Sequence, residues 1–118
     1  MPNTSLQDRI DEATFEFSIG ESLAALSKLK AITTEYPESS DAWLALGEVL
    51  FAEGELKNAL SSVEKAHTLQ PNDVHINTSL SRVWIGLGNK DKAEHFGAQA
   101  RMLGWKETLQ NSPENESL

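Results

Sequence analysis

Apolar side chains fall along this chain in short helical stripes separated by polar turns, and the clearest stripe begins at Trp43. Trp43, Leu46, Gly47 and Leu50 follow one another at i, i+3, i+4 and i+7, so they share one face of a 3.6-residue period. After a break at Gly54, Leu56, Ala59, Leu60, Val63, Ala66 and Leu69 continue that spacing and predict a second helix. Gly54 falls where the chain has to reverse, since glycine enters positive φ without steric cost and stops a helix. Pro71 ends the second helix, because it lacks an N–H donor and clashes with the preceding turn. The predicted unit is a pair of antiparallel helices. Small residues at Gly47 and Ala59 let the pair approach closely, with Trp43, Leu50 and Val63 filling the space around them.

The unit recurs. Gly20, Gly54 and Gly88 are 34 residues apart, Ala25, Ala59 and Ala93 keep the same step, and so do Pro37 and Pro71. A fixed period of this length means stacked repeats, each burying its apolar face on its neighbours. The register divides the chain into units at 6–39, 40–73 and 74–107 within a single domain over 1–107. Residues 108–118 remain as a polar tail with almost nothing to bury, expected to be disordered. Ser39 and Asp73 stand just before the second and third units and are expected to cap those helices. Gly104 followed by Trp105 reads as a helix stop whose aromatic folds back over the last helix. The outer units depart from the middle one. In the third, Asn77 replaces the aromatic, Gly97 the large second-helix residue and Trp105 the proline. In the first, Leu6, Ile10, Ala13 and Phe17 are apolar while Arg9 and Glu16 hold expected core places, which predicts a one-residue register shift in the opening helix.

Trp43, Leu46, Gly47, Ala59, Ala66 and Pro71 match the pattern of the tetratricopeptide repeat, and the chain resembles three such units in tandem. The resemblance implies an all-α fold: a right-handed superhelical solenoid of antiparallel helix-turn-helix pairs, with six helices and room for a short C-terminal extension. It also implies a concave groove, lined by the first helices of the units, that holds a partner polypeptide. Carried over residue by residue, the groove places are Gln7, Ile10, Thr14 and Phe17, then Asp41, Leu44, Glu48, Phe51 and Ala52, then His75, Thr78, Arg82, Ile85 and Gly86. Ile10, Phe17, Leu44, Phe51 and Ile85 would form an apolar strip bordered by Asp41, Glu48 and Arg82, suited to a short apolar segment with some charge. The bland alternative is that these side chains pack against a neighbouring first helix. Repeat modules that clamp the C-terminal carboxylate of chaperones carry Lys, Asn and Arg at five groove places that here hold Ile10, Thr14, Ala45, His75 and Ser79, which argues against that subtype.

Composition narrows the function classes. A chain of 118 residues with 39% apolar content supports one modest core, and its Ala, Leu, Glu and Lys favour helix. The net charge of −8 argues against nucleic acid as a partner, because phosphate binding needs clustered cations. That charge is lopsided: residues 1–56 hold eleven acids against Arg9, Lys28 and Lys30, while residues 57–118 hold seven of each sign. Cysteine is absent, so no disulfide, thiolate metal site or thiol nucleophile is available. With neither a leader pattern nor a long apolar run, the expectation is a cytoplasmic protein without a membrane partner.

Glu64 and His67, and likewise Asp91 and His95, lie one helical turn apart, but each pair falls short of the converging ligands that a bundle metal centre needs. Gly86-Leu87-Gly88-Asn89-Lys90 lacks the spacing of a phosphate loop, and no motif of nucleophilic or metal-assisted hydrolysis is present. The sequence therefore predicts a non-enzymatic adaptor or scaffold with no metal or cofactor. The competing expectation is a homodimer or larger self-assembly formed through the ends of the solenoid.

Overall fold

The computed structural model describes residues 4–111, which form six helices and, among these residues, no strand. They are α1 (Leu6–Ser18), α2 (Ser22–Glu35), α3 (Ser40–Ala52), α4 (Leu56–Leu69), α5 (Val74–Gly86) and α6 (Lys90–Gln110). Each helix packs on the next in the chain, and α1 also meets α3 as α3 meets α5, so three antiparallel pairs stack into an all-α solenoid.

Local chemistry sets the boundaries. Ser5, Ser39 and Asp73 cap the three first helices through their side-chain oxygens, which accept from the N–H groups of Asp8, Ala42 and Ile76 at 3.0, 3.1 and 2.9 Å. Gly20, Gly54 and Gly88 adopt φ of 90°, 82° and 81°. Around Gly54 the N–H donates to Phe51 O at 3.0 Å and the N–H of Glu55 to Leu50 O at 2.9 Å, the paired closure of a Schellman turn, and both other glycines repeat it.

The core runs through the stack. Ile10, Leu26, Leu29, Leu46, Val49 and Leu50 belong to one buried cluster and Val63, Ala66, Ile76 and Leu80 to a second, with half-buried Trp43 packed against both. Gly47 lets α3 close on α4: a Cβ there would run into Val63 Cγ2 and sit 3.3 Å from Ala59 O.

Two sequence expectations need correction. The 34-residue step is unbroken through α1, since the first helices begin at Leu6, Ser40 and Val74, so the opening helix carries no register shift. What changes is the chemistry of the α1–α2 seam. Arg9 forks onto Glu35, with Nη1–Oε2 at 2.9 Å and Nη2–Oε1 at 3.1 Å, while Lys28 Nζ meets Glu12 at 2.7 Å and also Glu16. Arg9 and Glu16, at core-like places, are thus paired with opposite charges on the partner helix. The second correction concerns Gly104, which lies inside α6 and stops nothing; residues 108–110, assigned to the tail, are helical and Trp105 is 68% exposed. Residues 112–118 of that tail lie outside the described residues.

Candidate functional site

Because the first helices stand side by side at a fixed period, equivalent residues form rungs across them: Thr14, Glu48 and Arg82 on one, Gln7, Asp41 and His75 on another. The structure draws part of the expected groove set together. Phe17, Glu48, Phe51, Ala52 and Arg82 line one cleft of ≈ 290 Å³ between α1, α3 and α5, and Gly47, Val63, Ser79 and Val83 complete its lining.

The remaining predicted residues lie elsewhere. Ile10 is 5% exposed and belongs to the core, so it offers no groove surface. Its stripe turns inward on α1 because Arg9 and Glu16 are drawn sideways to α2. Leu44 is half-buried against the Val63–Ile76–Leu80 cluster. Asp41 borders a separate open hollow at the α2–α3 turn with Tyr36 and Pro37, and Ile85 edges another between α5 and α6 with Ser81 and Gly97. The hydroxyls of Thr14 and Thr78 donate to their own helices, at Asp11 O and Val74 O, and both residues are exposed, as are Gln7, His75 and Gly86. The continuous apolar strip expected from the sequence is therefore broken, and its aromatic part, Phe17 with Phe51, is what reaches the cleft.

Gly47, Val63 and Val83 were absent from the groove places carried over from the repeat pattern, and Ser79 entered only in the comparison with carboxylate clamps. Ser79 lies one turn before both Arg82 and Val83, a spacing that brings the three to one side of α5. That signal identifies them only once the neighbouring helices are in place.

Charge in the cleft is arranged unevenly. The Arg82 guanidinium lies over the Phe51 ring, 5.2 Å from its centroid. Glu48 keeps solvent contact, yet the surrounding walls strip enough water to raise its carboxyl above the usual carboxylate range; the neighbouring Arg82, His75 and Ser79 offset this in part. Away from the cleft, His67 and His95 both meet Phe96 edge-on, at 5.5 and 4.9 Å between centroids, and no group of three or more metal-ligating side chains occurs among the described residues. No described helix is long and apolar enough to cross a membrane.

No protein-family model and no curated protein matches the chain. Solved structures do. A crystal structure of MamA is 25% identical with a TM-score of 0.80 over 89% of this chain and 61% of its own. A second MamA crystal structure is 23% identical, with a TM-score of 0.76 over 92% and 59%. The type III secretion translocator chaperone SycD of Yersinia enterocolitica, in an alternative dimer, is 19% identical with a TM-score of 0.80 over 98% and 84%. This chain spans about six-tenths of those MamA chains. The similarity is that of a helical-repeat solenoid.

Proposed function

We propose that this protein is a non-enzymatic interaction module of the tetratricopeptide type, which holds a short segment of another polypeptide in the cleft between α1, α3 and α5. The observation that carries this is the exposed cleft itself, walled by Phe17 and Phe51 and edged by Glu48 and Arg82. Half-buried aromatics next to charged rims supply apolar area at low entropic cost together with orientation, the mixture that peptide grooves use. A translocator chaperone among the similar folds fits a role in holding polypeptides.

Replacing Phe17 and Phe51 together by Ser tests the proposal. The partner recovered by the wild-type protein from its native host should be lost, with helicity by circular dichroism retained. Undiminished recovery by a folded variant would refute the groove.

A second reading, self-association, is favoured by one specific observation. Met102, Trp105 and Leu109 follow at i, i+3 and i+7 on α6 and are 61%, 68% and 49% exposed. The SycD structure is a dimer. Light scattering across a dilution series separates the two: a constant monomer mass removes self-association.

A further inference from the structure

We infer that the cleft selects a segment carrying an apolar side chain beside a lysine or arginine, with the apolar group between Phe17 and Phe51 and the cation on Glu48. This deepens, and rests on, the peptide-groove reading above.

The apolar half follows from the lining. Val63 and Val83 are almost wholly buried, and with Gly47 they give the cleft an apolar floor between two half-buried aromatic rings. A space of ≈ 290 Å³ there admits one or two side chains rather than a folded element.

The cationic half follows from how charges are paired. Ion pairs among the described residues join Arg9 to Glu35, Lys28 to Glu12 and Glu16, and Lys90 to Glu94, leaving Glu48 out. Arg82 is the neighbouring cation, but its guanidinium lies on the Phe51 ring and, among the described residues, within 4.0 Å of no carboxylate. Burial outweighs Arg82, His75 and Ser79 at Glu48, so this carboxylate, though in contact with solvent, is only partly hydrated and short of counter-charge. A partner ammonium or guanidinium would supply what is missing. An acidic segment would instead meet Glu48 within the half of the chain that carries eleven acids against three basic residues.

The experiment titrates ¹⁵N-labelled protein with three capped peptides, Gly-Ser-Phe-Lys-Ser-Gly and its versions with Gln or Glu in place of Lys. Shifts should concentrate at the amides around Phe17, Glu48 and Phe51. The Lys peptide should bind about fivefold tighter than the Gln peptide, as one partly desolvated ion pair warrants, and Glu48→Gln should erase the difference. Equal affinity of all three peptides, or a preference that survives in Glu48→Gln, overturns the cation assignment while leaving the groove intact. Absence of cleft shifts with every peptide overturns the groove reading, and this inference with it.

Discussion

At the scale of single residues, the repeat tolerates exchange because facing residues compensate. Gly47 on α3 faces Val63 on α4, and at the equivalent places Ala13 is matched by Leu29 and Ser81 by Gly97. In the third unit the larger residue has moved to the first helix, and Ser81 Oγ uses the room to donate to Ala93 O at 2.7 Å. Gly47→Ala should destabilise by about 1–3 kcal/mol in urea unfolding, because Val63 is branched at Cβ and cannot swing away from the added methyl. A similar exchange explains Asn77, which stands where Trp43 stands one unit earlier. Trp43 Nε1 donates to Pro37 O at 2.9 Å, and Asn77 Nδ2 donates to Pro71 O at 3.0 Å, so a polar residue keeps the same tie to the preceding turn. Sequence spacing found the place but not this bond. Glu48 gives a pH prediction. Its folded carboxyl titrates above the ordinary 4.5, so the native state holds that proton more tightly than the unfolded chain, and the stabilisation is lost as pH rises through the folded value. Glu48→Gln should therefore raise Tm at neutral pH, with the gain shrinking as pH falls into the carboxylate range.

At the scale of helices, the periodic glycines were legible because a Schellman turn demands positive φ, which Gly20, Gly54 and Gly88 adopt 34 residues apart. Gly104 resembled them in type alone. It is followed by Trp105 and Lys106, which accept helical geometry, and it stays out of the positive-φ region that the other three adopt, so the helix runs on through it to Gln110. As a result α6 has 21 residues where α2 and α4 have 14, and its last turns carry an exposed apolar stripe. Trp105→Ser should change stability by less than about 0.5 kcal/mol, since the side chain is already in water. Thermal melts at low and high protein concentration check this: a fall in Tm only at high concentration would mark Trp105 as an intermolecular contact. The opening helix was misread for a related reason. Arg9 and Glu16 look out of register until α2 is seen to bring Glu35 and Lys28 to meet them.

At the scale of the whole molecule, three stacked pairs make a fold that sequence period alone could describe, whereas the cleft needed three-dimensional neighbours from α1, α3, α4 and α5. Those neighbours are not held alike. The inner pair is joined by buried aliphatic contacts, and α1 is moored to α2 in part by Arg9–Glu35 and Lys28–Glu12, all at the surface. Surface charge pairs of this kind are screened within about 10 Å at 0.1 M salt. Phe17, one wall of the cleft, rides on α1. Ionic strength therefore reaches the binding site through the scaffold as well as through the ligand: raising salt should weaken capture even of an uncharged peptide, and calorimetric titration at stepped salt would read that loss directly.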